Sequence, residues 1–513
     1  VSTRYINCLE ILFPGMQQCL QRNGSGPALH ASTRSVSIST RRFQRRALRV
    51  HATAAAPSDA PPSVSPQQLN SLQQHLGSQK GSQVDKVVVD SSLDTGSAIL
   101  VAAKDVGAGE ALLVLPDSQW LTPQAVSKSA IGPHVQDLEP WVQLALLLIH
   151  ERFVSSSPAW APYVRSLPAT PTSPLFWSEE HLGMLQGTQL MENLQAYRAF
   201  FQAKYEELLG TDGLLSNQAP SAFPPQAFTY DNFLWAVATV RARAHPPLEG
   251  GAIALVPLAD AVSHRRRPNA EWKLKPAGLF GRAQQLVVEA TKPVRKGEEV
   301  SIDYAPAKLD NSVLLDYGVL DTTAPKPGYA LKLSLPAGDR NLDDKLDIVE
   351  LQGMEPTQTH VLTPGEAPSP TMMGFLRLIQ LQGPDAFLLE SIFRQDVWDF
   401  MCEPVSEDNE RAVCQSIAEG ARETLQGYPT SIDQDLAMLR SGELKSGSPE
   451  QAAIMVRLGE QEALDDTLQW FENRMQTELK KLVYYQERRL RNLGLVDDEG
   501  RTTYDSFFED GIA

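Results

Sequence analysis

Cysteine is scarce, with Cys8, Cys19, Cys402 and Cys414 alone in 513 residues. Their spacings match neither a zinc knuckle nor a redox pair. The fold is therefore expected to stand without disulfide or metal, with Cys402 and Cys414 as small buried apolar residues. No apolar run approaches the roughly 20 residues that span a bilayer. The richest stretch, residues 141–149, reads as a buried helix, so no membrane partner is expected. Positive charge is in deficit: 46 Lys and Arg face 62 Asp and Glu, a net −16. That balance argues against general nucleic-acid binding. An apolar content of 42% is enough for large cores and excludes disorder as the main state. The length allows one to three domains.

Residues 1–52 lack lysine altogether and contain one acid, Glu10, against eight arginines. Serines recur at 2, 25, 32, 35, 37 and 39. An Arg-rich, Ser-rich, acid-poor start is the composition of an organelle transit peptide, expected to be removed, and composition alone does not decide between chloroplast and mitochondrion. The alternative for this composition is a basic disordered arm. The segment carries +7, so the remainder stands near −23. Residues 53–82, rich in Ala, Pro, Ser and Gln, read as a flexible linker.

Three short apolar runs, 86–90, 98–102 and 111–115, are separated by turns at Gly96, Gly107 and Gly109 and predict a small antiparallel sheet. Residues 120–245 are mostly helical, with helices from Pro140, over about 189–209 and over about 229–243. Short strands return at 253–256, 285–289 and 299–302, the last after a tight turn at Lys296-Gly297-Glu298. From about 371 to 492 the pattern is helical, with breaks near Gly383-Pro384 and Gly427-Tyr428-Pro429. The order is short strands, helical insertion, short strands, then an all-α region: an α+β chain.

Three stretches carry candidate chemistry. The first is Val256-Pro257-Leu258-Ala259-Asp260-Ala261-Val262-Ser263-His264. The second is Gly297-Glu298-Glu299-Val300-Ser301-Ile302-Asp303-Tyr304. The third is Leu315-Asp316-Tyr317-Gly318. Each alone reads as structure, since a single buried His or a Tyr ending a strand is most often packing. In this order and spacing they resemble the signatures of SET-domain protein lysine methyltransferases of the Rubisco large-subunit methyltransferase family. Glu139-Pro140-Trp141-Val142 and Val240-Arg241-Ala242-Arg243-Ala244 are similar to the family's helical insertion. Asp343-Asp344-Lys345-Leu346-Asp347, the stretch from Gly383 to Ser391, and Tyr484-Tyr485-Gln486-Glu487-Arg488-Arg489-Leu490 resemble its helical substrate-binding domain. The resemblance covers roughly residues 86–495. It implies a SET domain at 83–322, with the insertion at about 120–245. It further implies a helical domain at 330–492 and a tail at 493–513.

The implied reaction is methyl transfer from S-adenosyl-L-methionine to a lysine of a folded stromal protein, such as the Rubisco large subunit or plastid aldolase. The implied enzyme is a chloroplast monomer that needs no metal. The acceptor must be a neutral amine, although free lysine has a pKa of about 10.4. A narrow, dry channel favours the neutral form, and alignment of amine, methyl and sulfur supplies most of the acceleration. By resemblance, Tyr304 is the catalytic tyrosine. It shares the lysine channel with Arg243, Asp260 and Tyr317. Gly96, Ser97, Ala98, Arg243, Ser263 and His264 would contact the cofactor. Tyrosine, with an ordinary pKa of about 10, is suited to orientation rather than to base catalysis.

The chain departs from the family in three places. Ser263 stands where Asn usually precedes the histidine, with one donor in place of two. Ile99 occupies the position of a glycine in the family's early Gly-x-Gly-Leu-Val-Ala signature. Arg265-Arg266-Arg267 follows His264 where a small residue is common, and reads first as a solvated loop, with a contact for an acidic partner or phosphate as the sharper alternative. The first two departures leave a second reading open, a weakly active or inactive SET-like scaffold in a plastid complex.

Overall fold

A computed structural model describes residues 64–92, 97–156, 159–244, 253–277, 283–497 and 499–502. The expectations for residues 1–52, for Gly96 and for the far end of the tail lie outside the described residues. The chain divides into two compact units. The first runs to Lys326 and also takes in Asp435–Val456; the second starts at Pro327 and resumes at Arg457. The sequence reading placed 330–492 in one helical domain. Residues 435–456 instead pack with the first unit, where Glu450 Oε1 lies 2.5 Å from His181 Nε2.

In the first unit, β1 (Val87–Ser91) pairs antiparallel with β2 (Ala98–Ala102), matching Val89 to Leu100. The third apolar run forms β3 (Ala111–Pro116), but it does not extend this pair. It joins β6 (Ala283–Ala290), which also pairs with β5 (Ala270–Ala277), in the sheet order β3-β6-β5. Alternation identifies a strand but leaves its partner open. β5 escaped the sequence reading, although Trp272 and Leu274 alternate with Glu271, Lys273 and Lys275. Those two lysines both bond the Glu289 carboxylate of β6. The expected strand at 253–256 is reduced to one bridge between Leu121 and Leu255. The chain there turns at Pro257 into the 3₁₀ turn Ala259–Ala261. Finally, β4 (Ser263–His264) runs parallel to β7 (Ser301–Ile302).

Residues 66–77 correct the expectation of a flexible linker. Pro66–Gly77 is a helix that buries Leu69, Leu72 and Leu76 in the core. These leucines repeat at helical spacing, and burying each is worth roughly 2 kcal/mol. Gln73 Nε2 secures the helix by donating to Val84 O and Val87 O at 2.8 and 2.7 Å.

The helical insertion follows its sequence pattern. Pro140–Ile149 starts on a proline at its first turn and is buried from Trp141 onward. Tyr230–Arg243 is capped by the Thr229 hydroxyl, which accepts from Asn232 N at 3.2 Å. Its last turn carries Arg241 and Arg243, cations at the negative end of the helix.

The second unit is helical around Phe375, Leu378, Val413, Ile417 and Phe471. It is not all-α, because β8 (Tyr329–Ser334) and β9 (Thr357–Leu362) form an antiparallel pair. Tyr329, Leu331 and Leu333 alternate into the core, a period too short to stand out beside the long helices. Glu410 is fully buried and neutralised by Arg377 and by Arg474, whose Nη2 lies 2.8 Å away. Cys414 is buried as expected, whereas Cys402 is exposed just after the short helix Val397–Met401. Among the described residues no helix is long and apolar enough to cross a membrane.

Candidate active site

The parallel bridge between β4 and β7 brings two distant stretches side by side, with His264 level with Ile302. Two residues on, Tyr304 N–H donates to His264 Nδ1 at 3.2 Å, and the rings lie 5.0 Å apart at 41°. Burial, reinforced by the nearby Arg266 cation, lowers the His264 pKa to about 4. The imidazole is thus neutral near neutral pH, as its role of acceptor requires.

The Tyr304 hydroxyl turns back across the bridge and donates to Val262 O at 2.5 Å. Burial pushes its pKa well above the ordinary value, so the phenol keeps its proton. Tyr317 meets it edge to face, with centroids 5.2 Å apart and planes at 60°. Tyr317 closes the helix Asp310–Tyr317, which stops on Gly318 with φ 69°. A Cβ on Gly318 would come within 2.4 Å of Thr172 Oγ1 and 2.6 Å of Ser173 N. The glycine therefore serves both the turn and the approach of the 172–173 segment. Ser173 Oγ completes this contact by donating to Leu315 O at 3.0 Å.

Arg243 and Asp260 form a third part. Arg243 Nη1 lies 3.4 Å from Asp260 Oδ2 and donates to Asp260 O at 3.3 Å. Tyr163 OH donates to Asp260 Oδ2 at 2.6 Å. The Asp260 side chain is 1% exposed, and burial raises its pKa against the pull of Arg243 and Tyr163. Arg243, Asp260 and Tyr317 all lie close enough to Tyr304 to act on its charge. Leu258, two residues before Asp260, has φ 71°, the one left-handed non-glycine among the described residues. Such a conformation costs of order 1 kcal/mol and is held only by its fully buried setting.

A second buried pair lies at Asp316, next to Tyr317 in the chain. Arg241 bonds Asp316, stacks over the Tyr197 ring at 4.2 Å, and Lys308 Nζ donates to Asp316 Oδ2 at 2.5 Å. Burial alone would raise the Asp316 carboxyl; the two cations outweigh it and hold the carboxyl below the usual range.

The structure thus brings together Tyr304, His264, Tyr317, Arg243 and Asp260, with Ser263 in β4. Strand register carries β2 alongside the segment that leads into β7: Leu100 O accepts from Val300 N at 2.8 Å and Val101 bridges Glu299. Ile99 pairs regularly with Asp90, and its φ is not left-handed, so the missing glycine leaves this backbone undistorted. The arginine triplet corrects another expectation. Only Arg267 is exposed; Arg265 pairs with Glu299 at 2.8 Å and the Arg266 side chain is 7% exposed. Sequence reasoning also missed Tyr163, Tyr197 and Arg241. Arg241 had one signal, its place two residues before Arg243 in the same last turn.

Comparison with known proteins agrees with this fold. Residues 97–305 match the SET domain family and residues 336–464 the Rubisco LSMT substrate-binding family. The chain is 36% identical over 409 residues to the chloroplastic [fructose-bisphosphate aldolase]-lysine N-methyltransferase of Arabidopsis thaliana, covering 78% of this chain and 82% of that one. It is 35% identical over 405 residues to the chloroplastic ribulose-1,5 bisphosphate carboxylase/oxygenase large subunit N-methyltransferase of Nicotiana tabacum, covering 78% and 81%. The solved SET domain of LSMT bound to lysine and AdoHcy superposes with a TM-score of 0.73 at 32% identity, covering 85% of this chain and 96% of that one. Rubisco LSMT bound to AdoMet gives 0.72 at 31%, covering 86% and 98%.

Proposed function

We propose that this chain, which belongs to the SET-domain protein-lysine methyltransferases bearing a Rubisco LSMT substrate-binding domain, acts as a monomer on a folded protein of the chloroplast stroma. Its activity is S-adenosylmethionine-dependent protein-lysine N-methylation, as in those relatives and structures. The candidate acceptors are the two that the relatives act on, the Rubisco large subunit and fructose-bisphosphate aldolase. The stromal address rests on the chloroplastic relatives and on the Arg-rich, acid-poor composition of residues 1–52.

S-adenosylmethionine, when bound, supplies a methyl group made electrophilic by a sulfonium. The residues fit such a group. A cation beside another cation needs the second one neutralised, and Arg243 is paired with Asp260 while His264 is uncharged. Aromatic faces and carbonyl oxygens suit a sulfonium and a methyl group, and Tyr304, Tyr317 and Val262 O supply them. Ser97, Ala98, Arg243, Ser263 and His264 are the residues to hold the cofactor, with Gly96 a further candidate by sequence alone.

Tyr304 and Tyr317 wall the lysine channel, with Arg243 and Asp260 at its frame. Burial between the rings favours the neutral amine over the ammonium. Tyr304 orients rather than deprotonates, because its raised pKa keeps the phenol protonated and its one proton is committed to Val262 O. In this reading the phenol oxygen accepts from the amine. The acceptor lysine therefore loses its proton to solvent before transfer. The observation that carries this reading is the closure of two distant stretches on one cluster, Tyr304 between the His264 and Tyr317 rings.

Calorimetry of the purified protein with S-adenosylmethionine tests the cofactor site directly. Incubation with methyl-labelled cofactor and stromal extract, followed by mass spectrometry of the labelled band, identifies the acceptor. No cofactor binding at millimolar concentration would favour the scaffold reading instead.

A further inference from the structure

Arg266 follows the cofactor segment Ser263–His264 by two residues and is almost fully buried, unlike an arginine of a solvated loop. Its guanidinium makes a fork. Nη1 donates to Ala305 O at 3.0 Å and lies 3.5 Å from Asp303 Oδ1. Nη2 donates to Lys308 O at 2.8 Å and to Asp310 Oδ1 at 3.1 Å. Its backbone N–H donates to Asp321 Oδ2 at 2.8 Å. These partners follow a pattern. Asp303 and Ala305 flank Tyr304, while Asp310 opens the helix that ends at Tyr317. One planar group therefore ties the start and the end of the turn joining the two channel tyrosines, and its own backbone continues from the cofactor segment.

We propose that Arg266 is a positioning residue of this enzyme, fixing the spacing of Tyr304 and Tyr317 and coupling the cofactor segment to the lysine channel. The inference rests on the assignment of those two tyrosines to the channel. A guanidinium suits the task because its donors leave in fixed directions and serve several carbonyls at once. A lysine ammonium carries its donors on a single nitrogen and lacks the two separate nitrogens that here serve Ala305 O and Lys308 O in fixed directions. Lys326 Nζ gives the turn another bond, to Pro306 O at 2.6 Å, but from the exposed side. Without Arg266 the turn keeps its bond from Lys326 N–H to Asp310 Oδ2 at 2.8 Å but loses the buried group that joins its two ends. The rings then part, water enters, and the bound amine regains its preference for the charged form.

The test compares Arg266→Met, Arg266→Lys and the exposed neighbour Arg267→Ala in the full chain, with thermal melting as the folding control. Arg266→Met is expected to lower kcat roughly ten- to hundredfold, the scale of an ångström-level misplacement. Its dissociation constant for S-adenosylmethionine should move by less than about threefold, since the contacts of β4 remain. The acidic limb of its kcat–pH profile should shift to higher pH, a change that loss of folded protein alone does not produce. Arg266→Lys should fall between Arg266→Met and the parent, and Arg267→Ala should match the parent. A folded Arg266→Met with parental kcat and an unmoved limb overturns the proposal. If Arg266→Met does not fold, Arg266→Lys decides by the same two readouts. Tyr304→Phe, run alongside, separates the failures. Full kcat in Tyr304→Phe overturns the channel assignment itself; an impaired Tyr304→Phe beside parental Arg266 variants overturns only the role of Arg266.

Discussion

Tyr163→Phe removes a single oxygen, the one that donates to Asp260 Oδ2 at 2.6 Å. The acceptor is a carboxylate almost wholly out of water, so no solvent molecule replaces the lost donor. What remains is Arg243, at 3.4 Å from the same oxygen. A hydrogen bond to a buried charged group is worth about 1.5–3 kcal/mol. The phenylalanine fills the same volume, so packing loss is small and the hydrogen bond dominates. Because the chain has two units, a global melting temperature would blur the effect. Native-state hydrogen exchange of peptides spanning 159–166 and 256–264 reads the opening of this region directly. Their protection should drop about ten- to hundredfold, with peptides of the second unit unchanged. Asp260 would also be pushed further towards its neutral form, loosening its hold on Arg243, so kcat should fall severalfold. Protection within about twofold of the parent would refute the claim that this hydrogen bond secures the site.

Gly318→Ala should destabilise the first unit by about 2–5 kcal/mol, the sum of a left-handed alanine and overpacking against Thr172 and Ser173. Its denaturation midpoint reads this, and kcat should fall as Tyr317 moves. His264 should make stability acid-sensitive. Unfolded, the ring takes a proton near about pH 6.5, but folded only near about 4, so stability present above about 6.5 is lost as pH falls towards about 4. The loss is at most about 3 kcal/mol, and His264→Gln should flatten the stability curve in that window. Ile392, 75% exposed on the second unit, is a position at which a docking role of that unit can be tested. Ile392→Asp should raise KM for the protein substrate severalfold while leaving cofactor affinity and the kcat unchanged.

The helices of the insertion were legible because each is long, strongly periodic and punctuated: Pro140 opens one, and the stretches at 189–209 and 230–243 repeat their buried residues at helical spacing. Strand partners were not legible. β3 looks like a continuation of β1 and β2 in sequence, yet its hydrogen bonds go to β6, because pairing depends on a chain return that local alternation does not encode. The helix Pro66–Gly77 was hidden by its composition, four glutamines around three leucines, although the leucines alone suffice to bury it. At the site, Tyr304, His264, Tyr317, Arg243 and Asp260 could be named because they sit in fixed short motifs. Tyr163 and Tyr197 lie in no motif and act through a hydrogen bond and a stacked guanidinium, contacts that exist only after folding. Arg266 was misread because three consecutive arginines resemble a solvated patch. Their fates differ since backbone carbonyls and Asp310 happen to face only the middle one. A truncation at 330 would likewise mislead, since it removes residues 435–456 from the unit they pack with.

Methyl transfer by the purified full chain, parent beside Tyr304→Phe, tests the assignment of this cluster most directly. With labelled S-adenosylmethionine and either aldolase or the Rubisco large subunit, the parent should label a defined lysine. Tyr304→Phe, equally folded and binding cofactor with similar affinity, should turn over at least about a hundredfold more slowly. Equal rates for the two proteins would contradict it.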